Sequence, residues 1–299
     1  MKRKFVTLDV FTRTRFAGNP LAVVLECERL DAAAMQTIAR EFNHPETVFV
    51  LPPGNPAHRA ALRIFTPAAE LPFAGHPTVG TAMLLALLDG AMGTRQMVLE
   101  EKIGPVTCRC TPGSGEIGYA SFELPKLPAS AGPAPSAADA AAALSVSSDD
   151  IGCGGERPSR WSAGLAFTFV PVRSLAAIAR CRADPTQFER VFGVEGPGKV
   201  YLYTEPAAQA GNHVHARMFA PGMGIPEDPA TGAAVAALAG LLAASGRFGD
   251  GSHVVRIEQG YEMGRPSLIE LSLTINGGQL VSASIGGDAV VVTQGIIEA

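Results

Sequence analysis

Residues 63–88, RIFTPAAELPFAGHPTVGTAMLLALL, and residues 217–242, RMFAPGMGIPEDPATGAAVAALAGLL, are two copies of one pattern. Arg63 and Arg217, Phe65 and Phe219, Pro67 and Pro221, and Pro72 and Pro226 each lie 154 residues apart. From Pro77 and Pro229 through Gly80 and Gly232 to Ala82 and Ala234 the spacing drops to 152, so the second copy has the shorter loop before its helix. A single repeat at half the chain length, in place of the roughly 20 to 50 residue period of solenoids and arrays, predicts two similar domains produced by duplication. The copies differ at Gly75-His76 and Asp228, and those differences are where function is to be sought.

A chain of 299 residues is long enough for two domains that each bury a core. The Pro-, Ala- and Ser-rich run KLPASAGPAPSAADAAAA after residue 125 marks the junction, which predicts domains of 1–128 and 129–299, with the last strands able to pack back on the first domain. A net charge of -4 and the absence of a Lys/Arg cluster exclude a basic field for nucleic acid. The chain opens MKRKFVTLDVF, and Asp9, Arg13 and Arg15 interrupt any signal-peptide core, so the start reads as a strand. The longest apolar stretch, roughly Ala233 to Ala244, is too short to span a bilayer. A cytoplasmic chain with no membrane partner is expected. Five cysteines are odd in number and form no CxxC pair, so neither a disulfide framework nor a metal site is expected.

FVTLDVF and LAVVLE flank the turn-forming AGNP and predict a hairpin-like start. Residues 31–42 carry helical spacing behind Asp31 as N-cap. Strand patterns occur at 47–51 and 58–65, and a short helix is predicted at 136–144. Many strands with few, irregularly placed helices predict an α+β fold. Pro77 and Pro229 each suit the first position of a helix, with Asp228 capping the second one. The helix bodies TVGTAMLLALL and ATGAAVAALAGLLAAS contain no charged residue, so neither has the polar face of a surface helix. These patterns predict two pseudo-symmetric domains, each with its helix buried inside a curved sheet. The free N–H groups and positive dipole end at each helix start suit a carboxylate.

The strings ELPFAGHPTVG, EDPATGAA, GNPLAV and QGYEMGRPS (259–267), in that family's order and spread end to end, resemble the PhzF family of phenazine-biosynthesis-type isomerases. The resemblance implies the diaminopimelate-epimerase-like α+β fold, two pseudo-symmetric domains each a mixed β-sheet curled around a central buried helix, with an active site in the cleft between the domains, no cofactor or metal, and a homodimer. It implies an isomerase that moves a proton on a small carboxylate substrate. In the characterised member the proton moves between ring carbons of trans-2,3-dihydro-3-hydroxyanthranilate. By the family motif N-x-x-E, Glu46 in FNHPETVFV is the acid/base. The resemblance also places His76 and the Gly75 backbone against the ligand, and gives Asp228 an amino or hydroxyl group to hold. The amides of Gly232 and Ala233 are left for a carboxylate, and Asn19 is a lesser binding candidate.

Read alone, the same residues have plainer accounts. Glu46 is an acid at a strand end, His76 a histidine at a helix start, Asp228 a helix cap and Asn19 part of an Asn-Pro turn. A glutamate that removes and returns a proton needs a pKa raised toward neutrality, which an apolar cleft supplies by desolvation. Where the family usually reads D-x-A-T-G-S-A, this chain reads DPATGAA, so Ala233 lacks a hydroxyl. A hydrogen bond to a charged group is worth about 1.5 to 3 kcal/mol, enough to shift substrate preference.

Two other readings are open. Epimerases of this superfold that use two thiols need a cysteine at each helix start, where this chain has His76 and Asp228; a two-base reaction through Glu46 and Asp228 is not excluded by that. A non-catalytic ligand-binding homologue is the second, and the joint retention of Glu46, His76 and Asp228 argues against it. A hydrolase of the α/β type would need a GxSxG elbow, which is absent.

Overall fold

A computed structural model describes residues 2–90 and 92–299; Met1 of the expected first strand lies outside them. The chain forms two compact units, one running to Pro125 and including Gly286–Ala299, the other comprising Lys126–Ile285.

The first unit opens with β1 (Lys2–Val10) and β2 (Asn19–Val24), antiparallel to each other as the AGNP turn predicts. Helix α1 (Ala32–Phe42) starts where Asp31 accepts the Ala34 N–H at 2.8 Å. It stops at Asn43, which takes a left-handed backbone (φ 51°) and donates its N–H to the Ala39 carbonyl. The reversal leads directly into β3 (Glu46–Leu51), followed by β4 (Ala60–Phe65), the short β5 (Glu70–Leu71), α2 (Gly75–Leu88), β6 (Arg95–Glu101), β7 (Gly104–Pro112) and β8 (Ile117–Glu123). The second unit holds β9 (Ala129–Ser130), α3 (Ala137–Ala143), β10 (Ser159–Ser162), β11 (Ala166–Pro171), α4 (Leu175–Arg180), α5 (Phe188–Phe192), β12 (Val200–Thr204), β13 (Val214–Ala220), β14 (Ile225–Asp228), α6 (Gly232–Ala244), β15 (Gly251–Gln259) and β16 (Ser267–Asn276). The last strand, β17 (Gln279–Glu298), passes at Gly286 into the first unit.

Strand pairing repeats between the units. In the first, β2 lies parallel to β3, β3 antiparallel to β4, β4 antiparallel to β5 and parallel to β6, and β6 antiparallel to β7. In the second, β11 with β12, β12 with β13, β13 with β14 and β15, and β15 with β16 run in the same directions in the same order. In the first unit the sheet closes: β7 pairs with β8, β8 with β17, and β17 runs antiparallel to β1 from Lys2↔Glu298 to Val10↔Ala289.

Helix α2 fills that barrel, packing on β1, β2, β3, β6, β7 and β8, while α6 packs on β9, β10, β11 and β16. Residues 75–86 of α2 are all buried, as are most of α6, in agreement with their uncharged sequences. Enclosing a leucine such as Leu84 or Leu85 contributes about 1.5 to 3 kcal/mol. The close fit depends on Gly80, where a Cβ would sit 2.7 Å from both Leu21 Cδ2 and Val10 Cγ2. Gly80→Ala is therefore expected to destabilise the protein by about 1 to 3 kcal/mol through overpacking, seen as a lower midpoint in urea unfolding. An unchanged or raised midpoint would show that α2 has room to move away from β1 and β2.

Candidate active site

The start of α2 differs from the sequence expectation. The helix begins at Gly75, so Pro77 is its third residue instead of its first. The first four N–H groups of a helix lack an internal acceptor, so a proline costs little anywhere in that turn; the first internal bond, from Thr78 N–H to the Ala74 carbonyl, bypasses Pro77. The amides of Gly75 and His76 lie within this open first turn.

Three segments bring Glu46 and His76 together. Asn43 ends α1 in the left-handed turn that lets Glu46 begin β3, which accounts for the asparagine of the N-x-x-E motif. The parallel register places Glu46 beside Leu21 of β2. One residue earlier, the Pro20 carbonyl accepts a hydrogen bond from the His76 ring, and Asn19, fully buried, heads the strand. His76 Nε2 then stands 3.3 Å from Glu46 Oε2, close but not aligned as a hydrogen bond, and Nε2 has no hydrogen-bond partner among the described residues. The nitrogen bonded to Pro20 is accordingly Nδ1, which carries the proton, and Nε2 presents a lone pair. Burial pushes the imidazole pKa down to about 3, against the opposing pull of the Pro20 carbonyl. His76 is therefore a neutral acceptor. A neutral nitrogen lone pair and a carboxylate oxygen at this distance are two acceptors that a single proton, held by Glu46 or brought by a substrate, would bridge.

A buried acid with no signal in the sequence stands at the same helix end. Glu101, at the end of β6, is 7% exposed. Thr78 Oγ1 lies 2.7 Å from Glu101 Oε1 and also 2.7 Å from the Ala74 carbonyl oxygen. The Thr78 hydroxyl thus donates toward two acceptors, the Ala74 carbonyl and the Glu101 carboxyl group. Burial drives the Glu101 pKa up to about 8, with the Thr78 contact opposing it. Within LEEKIG this acid has the look of a surface residue; only the contact with Thr78, 23 positions away, marks it out.

In the second unit the expectation that Asp228 caps a helix with Pro229 in its first turn is overturned. Helix α6 begins at Gly232 behind Thr231, and Asp228 is the last residue of β14, opposite Met218. Residues 229–231 are kept out of the helix by Gln259: its Oε1 accepts the Thr231 N–H at 3.1 Å and its Nε2 donates to the Asp228 carbonyl at 2.7 Å. Asp228 Oδ2 accepts the Thr231 hydroxyl at 2.6 Å. The first internal bonds of α6 run from Ala234 and Val235 to the Thr231 carbonyl, so Gly232 and Ala233 supply the open first-turn amides.

The repeat is visible in side chains as well. Arg63 pairs through two nitrogens with Glu70 at 2.7 and 2.9 Å and lies over Phe65, its Cζ 5.2 Å from the ring centre. Arg217 pairs with Glu227 at 2.8 Å through both nitrogens and lies 4.8 Å over Phe219. Alignment on Pro72 and Pro226 sets Glu70 against Gly224, but an irregularity in the β13–β14 register, between Met218 and Ala220, lets Glu227 supply the carboxylate.

Among the described residues there is no cluster of three or more His, Cys, Asp or Glu suited to a metal ion, and no helix long and apolar enough to cross a membrane.

With the two units, their buried helices and the Glu46–His76 pair in hand, comparison with known proteins agrees. The PhzC-PhzF family, phenazine biosynthesis-like proteins, matches residues 8–295, and the chain belongs to it. It is 47% identical over 304 residues to an uncharacterized isomerase of Mesorhizobium japonicum, covering 98% of both chains. It is 32% identical over 293 residues to the trans-2,3-dihydro-3-hydroxyanthranilate isomerase of Pseudomonas chlororaphis, again covering 98% of both. A PhzF-family crystal structure from Bacillus anthracis superposes with a TM-score of 0.89 over 100% of both chains at 23% identity. The expected α+β, epimerase-like fold holds.

Two measurements check the ionisation states. The His76 ring nitrogens in 15N NMR are expected to remain those of a neutral, Nδ1-protonated imidazole at about pH 5; an imidazolium there would contradict the burial argument. For Glu101, the unfolded chain ionises near the ordinary glutamate pKa while the folded chain keeps the proton up to about 8, so this residue lowers stability progressively as pH rises through that window and no further above it. Glu101→Gln keeps an acceptor for the Thr78 hydroxyl and is expected to gain on the wild type in urea unfolding as pH is raised from about 5 to about 8. A stability difference independent of pH would show that Glu101 is ionised in the fold.

Proposed function

We propose that the protein is a PhzF-type isomerase that moves a proton on a small, carboxylate-bearing substrate, with Glu46 as general acid/base. The observation that carries this reading is the 3.3 Å approach of Glu46 Oε2 to the unprotonated Nε2 of a buried His76. A proton lifted from carbon by the carboxylate is held beside a second acceptor, and the pair returns it without relying on water. His76, neutral and fixed by Pro20, orients a substrate donor or shares the proton with Glu46. The open amides of Gly75 and His76 suit a negatively charged substrate group. In the second unit Asp228 binds an amino or hydroxyl group, and the amides of Gly232 and Ala233 bind a carboxylate.

The 32% identity to a trans-2,3-dihydro-3-hydroxyanthranilate isomerase makes that compound the first substrate to test. Ala233 supplies only its N–H where the family has a serine hydroxyl, so carboxylate binding is weaker by one side-chain hydrogen bond, and a relative of that compound is the natural second choice.

The test is solvent exchange. Incubated in D2O with trans-2,3-dihydro-3-hydroxyanthranilate, the wild type is expected to introduce deuterium into the product. Glu46→Gln is expected to lose this by roughly 10²- to 10⁴-fold, the usual scale of general acid–base catalysis, with its melting temperature preserved. Near-wild-type exchange by Glu46→Gln would refute the assignment of Glu46.

A further inference from the structure

The motif QGYEMGRPS matches the family pattern but contains no residue of the proposed proton chemistry, and its contacts converge on residues 227–231. Gln259 is fully buried at the end of β15. Its side-chain orientation is unambiguous, because Oε1 meets a backbone N–H and Nε2 a backbone carbonyl. Nε2 also donates to Thr231 Oγ1 at 2.9 Å. That oxygen already receives a proton from Gln259, so its own hydrogen is free to point to Asp228 Oδ2, 2.6 Å away. The next residue, Gly260, has φ +79°; a Cβ there would collide with the Arg265 carbonyl oxygen and lie 2.7 Å from that of Pro229, so only glycine lets the turn press against the segment carrying Asp228.

The surroundings hold this clamp rigid. His215, 3% exposed, has Nδ1 at 3.1 Å from Glu258 and Nε2 at 3.0 Å from Glu262, on either side of Gln259 and Gly260. Two carboxylates on its two nitrogens require the doubly protonated ring, and although burial opposes it, Glu262 and Glu258 raise the His215 pKa. Arg217, two residues along β13, grips Glu227, the neighbour of Asp228.

We propose that Gln259 and Thr231 are positioning residues for Asp228: Gln259 aims the Thr231 hydroxyl at Oδ2, so that Asp228 meets its substrate as an ionised acceptor and selects a donating group, an ammonium or a hydroxyl. The proposal rests on Asp228 being the substrate-binding group described above, but the relay itself can be measured without substrate. Groups with charge or titration near Asp228 include, among the described residues, the buried Tyr201, which burial and the Asp228 charge keep protonated, and its chain neighbour Glu227, paired with Arg217.

The experiment is a 13C NMR titration of the Asp228 carboxyl in the full chain labelled at aspartate Cγ, assigned by loss of the signal in Asp228→Asn. Thr231→Val removes the donated hydrogen bond at nearly constant shape and is expected to raise the Asp228 midpoint by about one pH unit, a tenfold change in the ionisation constant. Thr231→Ser is expected to keep the wild-type midpoint, and Gln259→Met to raise it by freeing the hydroxyl to rotate. If Gln259→Met does not fold, the Thr231→Val and Thr231→Ser pair decides, both variants leaving the charge around Asp228 unchanged. Unchanged midpoints in folded Thr231→Val, and in Gln259→Met where it folds, would overturn the proposal. Turnover separates the two ideas. If the midpoints shift but the wild type does not isomerise trans-2,3-dihydro-3-hydroxyanthranilate, the relay stands and the substrate reading falls. If the wild type turns it over, Thr231→Val is expected to lower kcat/KM about tenfold while Thr231→Ser does not; an unchanged kcat/KM in Thr231→Val would overturn the role of the relay in catalysis.

Discussion

A helix without a polar face cannot lie against water, and each unit is organised around removing such a helix from solvent. In the first unit this is met by a sheet that closes on itself, the end of β17 returning to pair with β1 and β8. Once the sides of α2 are covered, the backbone groups left without internal partners are those of its ends. The candidate site at the N-terminal turn is thus a result of the packing: the first turn of α2 is where a buried, rigid scaffold still offers N–H groups to a ligand. His76 occupies that turn, and β2 and β3 bring Pro20 and Glu46 to it.

Duplication supplied two scaffolds with the same strand directions and the same arginine stacked on a phenylalanine, and divergence acted on the few residues before each helix. In the first unit those residues are helical, so His76 is carried by α2 itself. In the second the aligned residues are held extended by Gln259, so Asp228 belongs to a strand and meets Thr231 instead of capping α6. His76 and Asp228, which stand at matching places in the repeat, are thus presented by different backbones, one helical and one extended.

Much of this is legible in the chain. The buried helices, the opening antiparallel pair, the Asp31 cap, the short helix near 136–144 and the α+β class come from periodicity and turn chemistry, because those depend on neighbours in sequence. The family motifs single out Glu46, His76 and Asp228. The helix starts are not legible, because a proline's missing N–H is harmless throughout a first turn, so Pro77 locates the turn but not the residue that begins it; at Pro229 the backbone is claimed by Gln259, thirty positions away. Glu101 is invisible for the same reason: an acid beside another acid in LEEKIG looks solvated until Thr78 and the barrel wall enclose it.

The sequence by itself determined that two similar units would each bury an uncharged helix, and which residues match the family's motifs. Only the tertiary structure decided that the His76 proton sits on Nδ1, that Glu101 is protonated, that Glu227 and not an aligned residue neutralises Arg217, and that the QGYEMGRPS segment aims a hydroxyl at Asp228. Each of those outcomes is a matter of which acceptor or donor a side chain meets and how far it is from water, and both are set by contacts between segments far apart in the chain.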